Sequence, residues 1–172
     1  MANRLVPLSF GLALLLSIDD PGLAVTPYSD RLTDIEHSLV ARGYRGPLAS
    51  KEHAVGKILP NGSQFSVVLW MKSPAGTRLR DARQIKFTQS YCNIPGFQKM
   101  RFFPAAKAER DAFFRDVIGQ ASPAGLDADI PAIGYDDTRY YAVSHFRKVR
   151  LIHRPMKCDI RGGEAYELDF FP

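Results

Sequence analysis

Two segments of the chain place apolar residues at helical spacing. In residues 28–43, Ile35 and Leu39 fall on one side of a helix, which Gly43 can end in the left-handed conformation. A second helix is predicted to begin at Pro104, because proline is tolerated in the first helical turn. Its apolar side consists of Phe113, Phe114, Val117 and Ile118. Each helix therefore has one apolar stripe to bury against another element.

Alternating apolar and polar positions predict strands in much of the remaining chain. Residues 53–59 and 64–72 flank an Asn-Gly pair, which is a strong signal for a tight hairpin. The alternation returns at 84–91, 139–154 and 165–170, and a further short strand is predicted at 97–103. Short connections favour antiparallel pairing. The pattern predicts an α+β fold, with an antiparallel sheet of about five strands and two helices packed on it.

Residues 121–137 show neither helical nor strand periodicity. The segment contains Pro123, Gly125, Pro131 and Gly134, which interrupt regular structure. We therefore expect a long loop here. Loops of this length inside compact domains often carry function.

The N-terminal segment has the composition of an export signal. Arg4 is followed by an apolar run at 5–18, which is too short to span a bilayer comfortably. Gly22 and Ala24 are small residues at the positions that a signal peptidase reads, although an uncleaved anchor is the alternative. We expect residues 1–24 to be a signal peptide and residues 25–172 to form a single domain. The mature protein would then be exported, periplasmic or secreted, without a transmembrane segment.

The chain is basic, and its positive charge favours anionic partners without selecting one class of them. The net charge is +5, and removal of residues 1–24, with one Arg and two Asp, would raise it to +6. A basic exported protein encounters acidic proteins and anionic envelope polymers such as acidic polysaccharides. Aromatic residues suitable for base stacking are scattered along the chain, so nucleic acid is a poor candidate.

Cys92 and Cys158 are the only cysteines, and two cysteines in an exported chain predict one disulfide. The alternative is an enzyme in which one cysteine is a thiolate nucleophile and His145 or His153 is its base. That hypothesis needs a reduced and exposed thiol. An oxidising compartment disfavours it.

A run without acidic residues extends from 138 to 158. The candidate residues for binding an anionic partner are Arg147, Lys148, Arg150, His153 and Arg154. A second basic segment, 78–86, would approach this run if the two cysteines bond. The competing interpretation is charge pairing within a hairpin, because the last strand carries Glu164, Glu167 and Asp169.

No motif for catalysis, metal binding or a cofactor stands out in the sequence. The histidines lack the helical i, i+4 spacing of a zinc motif, and there is no Gly-rich phosphate loop. We therefore predict no catalytic residue, no metal and no cofactor. The favoured hypothesis is an exported binding or accessory protein that uses its basic face for an acidic protein or an anionic envelope polymer. The alternatives are the Cys/His enzyme and a structural or inhibitory module acting through residues 121–137.

Overall fold

The computed structural model describes residues 33–46, 53–60, 62–92, 103–158 and 162–172. The predicted signal peptide, residues 1–24, lies outside these ranges. Residues 97–102 of the predicted short strand at 97–103 also lie outside them. Within the described ranges, no helix combines the length and the apolar character that crossing a membrane requires.

Six antiparallel strands form one sheet in the order β1-β2-β3-β6-β5-β4. The strands are β1 (His53–Ile58), β2 (Gln64–Met71), β3 (Ala82–Cys92), β4 (Thr138–Tyr141), β5 (Lys148–Met156) and β6 (Gly163–Phe171). The pairing of β3 with β6 joins distant parts of the chain, whereas the other pairs are consecutive strands. The predicted antiparallel α+β fold is confirmed, with six strands instead of about five.

The described residues form three α-helices instead of the predicted two: α1 (Asp34–Val40), α2 (Phe103–Phe113) and α3 (Leu126–Ala132). A π-helical segment, Phe114–Ile118, continues α2. Helix α1 begins at a capping box. The Thr33 hydroxyl accepts a hydrogen bond from the Glu36 amide at 3.1 Å, and the Glu36 carboxylate accepts one from the Thr33 amide at 2.8 Å.

The hydrophobic core lies between the helices and one face of the sheet. Phe113 of α2 stacks on Phe87 with ring centroids 4.5 Å apart, and its ring meets Phe170 edge-on at 5.8 Å. Because side chains alternate across a strand, residues in register with Phe87 share this side, which we call the helix face. We call the opposite side the open face. Its central register row consists of Ala54, Val68, Lys86, Asp169, Arg150 and Tyr140.

The predicted single strand at 139–154 is wrong, because a turn at 142–147 divides it into β4 and β5. His145 in this turn has a φ of 67°, a left-handed conformation that is uncommon for residues other than glycine. The turn contains no Gly, Pro, Asn or Asp. The stronger sequence signals for a chain reversal are therefore missing here, and Ser144 is the one common turn residue in the segment.

The predicted loop at 121–137 is wrong in its centre, where residues 126–132 form α3. Leu126 and Ile130 are four residues apart, and each is only 1% exposed. Burial of this apolar pair outweighs the helical hydrogen bond that Pro131 cannot make. The segment therefore packs its apolar side chains onto its own domain.

The predicted disulfide is present between Cys92, at the end of β3, and Cys158, beyond β5, with Cα atoms 5.8 Å apart. The bond ties these two strands together across β6. Gly163 of β6 lies beneath it, and a Cβ atom there would come within 2.6 Å of the Cys158 sulfur and 2.4 Å of the Tyr91 carbonyl oxygen. Neither cysteine has a free thiol in this structure.

Candidate anion-binding face

The predicted binding residues are divided between the two faces of β5. Lys148, Arg150 and Arg154 share the open face, and Arg147 lies in the turn that precedes the strand. His153 is in register with Tyr166 and lies on the helix face. The structure therefore groups the Lys148, Arg150 and Arg154 side chains and separates His153 from them.

Asp169 lies at the centre of the open face. One of its carboxylate oxygens accepts a hydrogen bond from Nε of Arg150 at 2.9 Å, and the other lies 3.9 Å from Nζ of Lys86. The Asp169 side chain is 1% exposed, whereas Arg150 is 35% and Lys86 is 28% exposed. The carboxylate is therefore buried beneath two cations that reach solvent.

Glu167 occupies the neighbouring open-face position on β6. Its carboxylate lies 3.5 Å from Nζ of Lys86 and 3.6 Å from Nε of Arg154. Arg154 also donates to Asp136 at 2.9 Å. The cross-strand pairing suggested by the sequence is thus present for Glu167 and Asp169. Pairs with this degree of exposure contribute about 0–1 kcal/mol each to stability.

Aromatic rings accompany several of these cations at distances that allow cation–π attraction. The pairs, with the distance from cation to ring centroid, are Lys148 with Tyr140 at 4.6 Å, Arg150 with Phe171 at 5.4 Å and Lys86 with Trp70 at 5.9 Å. Lys148 and Arg147 are exposed and form no ion pair with any residue in the described part of the chain.

Lys86 comes from the second basic segment, 78–86. It lies close to the open-face cations of β5 because β6 pairs with β3 on one side and with β5 on the other. This arrangement places Lys86 and Arg150 on either side of Asp169. This non-local pairing carries no local sequence signal. Arg80 and Arg83, from the same segment, line separate pockets near the end of the sheet.

His153 belongs to a buried group on the helix face. Its Nδ1 lies 2.9 Å from the carbonyl oxygen of Ile133, and its Nε2 lies 3.5 Å from the Glu164 carboxylate. The hydroxyls of Tyr91 and Tyr166 both donate to Glu164. Burial and the nearby carboxylate raise the pKa of Tyr166 to about 12. The phenols therefore stay protonated as donors near neutral pH. Glu164 itself lies on the helix face, on the opposite side of the sheet from Arg150 and Arg154.

Comparisons with known protein families, curated proteins and solved structures find no match for this chain. The fold and the site define a basic α+β protein with one disulfide and a cationic sheet face.

Proposed function

We propose that this protein is an exported binding or accessory protein whose open face binds an anionic envelope polymer. One observation carries the proposal: the two acids that β6 contributes to this face are more buried than the cations paired with them, although Asp136, which pairs with Arg154 from the loop before β4, is 68% exposed. Glu167 is 18% exposed, against 48% for Arg154, which pairs with it. Asp169 and Arg150 differ in the same direction. Because the charges nearest to solvent dominate the surface potential, an approaching partner meets positive charge first.

The spread of the cations favours a polymer over an acidic protein. Lys86 and Arg150 lie on strands separated by β6, so their backbones are about 10 Å apart. Lys148 and Arg154 extend along β5 over about 20 Å. Cations distributed in two directions suit a chain with repeated negative charges. The cores of protein–protein interfaces, in contrast, are depleted in charged residues, whereas the centre of this face is charged.

The disulfide supports export, because such bonds persist mainly in oxidising compartments. The same bond removes the nucleophile that the Cys/His enzyme hypothesis requires. Titration of free thiols in protein taken from its native compartment tests both points, since an intact disulfide leaves no reactive thiol.

Lys148 offers the cleanest test of binding, because it is exposed and has no ion pair among the described residues. K148Q should weaken binding to polygalacturonate, an acidic polysaccharide, by about fivefold, which corresponds to about 1 kcal/mol for one cation. The unfolding free energy should change little. Binding of the unmodified protein should fall steeply as the salt concentration rises past about 0.15 M.

R139Q is the matched control, since Arg139 is exposed on the neighbouring strand β4 but is in register with Leu151 of the helix face. We expect R139Q to bind polygalacturonate as the unmodified protein does. Equal losses in the two variants would show that net charge matters and the open face does not. Tighter binding to polyglutamate than to polygalacturonate would favour an acidic protein as the partner.

A further inference from the structure

A pocket of ≈ 380 Å³ lies at the end of the sheet, where β2 continues past the first residue of β1. Its charged and aromatic lining residues are His53, Trp70, Lys72 and Arg83. The volume falls within the range of about 300–1,000 Å³ that is typical of small-molecule sites. Trp70 borders both this pocket and the open face.

The pocket is electropositive. The described residues that line it include Lys72 and Arg83 but no Asp or Glu. Arg83 is exposed and makes no ion pair with a described residue. Nζ of Lys72 donates to the carbonyl oxygen of Arg80 at 3.2 Å, which neutralises no charge. Lys72 and Arg83 therefore bring two positive charges to this pocket, and no carboxylate among its described lining residues balances them.

The His53 ring contacts a buried carboxylate. Its Nδ1 lies 3.1 and 3.2 Å from the two carboxylate oxygens of Glu36, a residue that is 0% exposed and fixed by the capping box with Thr33. A carboxylate at one ring nitrogen sets the orientation of the imidazole. Because Nδ1 contacts Glu36, Nε2 is the nitrogen left for a ligand, and the His53 side chain is 36% exposed.

We infer that this pocket binds a small phosphate monoester whose organic group is a flat ring. The two cations match the two negative charges of such a phosphate, and the planar fork of Arg83 suits its oxygens. The indole of Trp70 offers an apolar surface on which the ring can stack. This goes beyond the proposed polymer binding, because the Lys72, Arg83 and His53 side chains take no part in the open-face row.

The sole tryptophan of the chain lies in the pocket, so its fluorescence reports directly on binding. We propose to titrate the protein with phenyl phosphate and to follow Trp70 emission excited at a wavelength that the ligand does not absorb. A saturable change is expected. R83Q should weaken the affinity by about tenfold or more, because it removes a charge-assisted hydrogen bond. R80Q is the charge-matched neighbour, since Arg80 does not line this pocket. It should bind like the unmodified protein.

Two further ligands test the chemistry of the site. Inorganic phosphate should bind more weakly than phenyl phosphate, and benzyl alcohol, a neutral ring, should give no saturable change. Equal affinities of R83Q and R80Q for phenyl phosphate would overturn the inference, as would equal affinities for phosphate and phenyl phosphate. K148Q separates this site from the polymer site. It should leave phenyl phosphate binding unchanged whether or not it alters polygalacturonate binding.

Discussion

Replacing Asp169 by Asn should change stability and polymer binding in opposite directions. Asp169 is buried between Arg150 and Lys86, so its carboxylate offsets two cations inside the fold. The same carboxylate lies beneath the surface that a polyanion would approach. D169N therefore removes a stabilising charge from the fold and a repulsive charge from the binding face.

The stability loss can be bounded from the geometry. Breaking a fully buried ion pair costs about 3–5 kcal/mol. Here Arg150 and Lys86 are partly exposed and can turn towards solvent, which reduces the cost. We expect D169N to lower the unfolding free energy by about 1–2 kcal/mol.

The gain in binding follows from Coulomb's law. A ligand anion about 8 Å from Asp169 is repelled by about 2 kcal/mol at an effective dielectric constant of about 20. Loss of the Asp169 contact also leaves Arg150 less ordered, and ordering one long side chain costs about 0.5–1.5 kcal/mol. The net gain of about 1 kcal/mol predicts binding that is about fivefold tighter at low salt.

Urea unfolding followed by circular dichroism measures the first effect, and titration with polygalacturonate at low salt measures the second. D34N is the control, because Asp34 is exposed in the first turn of α1 on the helix side. It should shift stability by less than about 1 kcal/mol and leave binding unchanged. R150Q, in contrast, should lower both stability and affinity. Unchanged polymer binding by D169N would refute the reasoning, because the cations around Asp169 would then not form the binding surface. Weaker binding would refute it too, because the ordering of Arg150 would then outweigh the lost repulsion.

Three further predictions concern the fold and its processing. Replacing Cys92 and Cys158 together by Ser should lower the unfolding free energy by up to about 4 kcal/mol, measured by urea unfolding against the oxidised protein. Burial opposes ionisation of Asp127, but hydrogen bonds from Arg110 and Lys107 outweigh it and lower the pKa of that carboxyl. Its contribution is therefore fully present above about pH 4 and disappears as pH falls further, so the stability difference between the unmodified protein and D127N should shrink in acid. Intact mass of the exported protein should show Val25 as the first residue, and retention of all 172 residues would contradict the predicted cleavage.

The sequence predicted the strands whose side chains alternate in polarity, because one side of each is buried. It missed the turn between β4 and β5, where His145 adopts a left-handed conformation and Ser144 is the one common turn residue. It also missed α3, because Pro131 obscured the helical spacing of Leu126 and Ile130. In both places tertiary contacts accompany the unexpected local structure: Val143 of the turn is buried and the Phe146 ring lies 5.1 Å from that of Phe170, as Leu126 and Ile130 are buried in α3. Such contacts are not visible in a single sequence.

One part of the candidate site could be read from the sequence, and another part could not. The face of His153 was readable from the sequence, since it shares odd parity with Val149 and Leu151 on β5, which are buried. Grouping it with Arg150 and Arg154 therefore followed proximity in sequence and ignored parity. The position of Lys86 beside Asp169 was not readable, because it depends on the pairing of two strands about 80 residues apart in the chain.

Charge pairing and partner binding were competing explanations of the basic run, but the geometry makes them compatible. A buried acid such as Asp169 pairs with Arg150 in the fold and, under the proposed function, also holds Arg150 in place for the polymer. Ordering that side chain during folding reduces the entropy lost on binding. The two roles differ in their response to salt. Attraction between exposed charges is screened beyond about 8 Å at physiological ionic strength, whereas a buried pair is screened much less. Added salt should therefore weaken polymer binding steeply while the Asp169 contribution to stability persists, and an equal loss of both would mean that Asp169 is not buried as the structure shows.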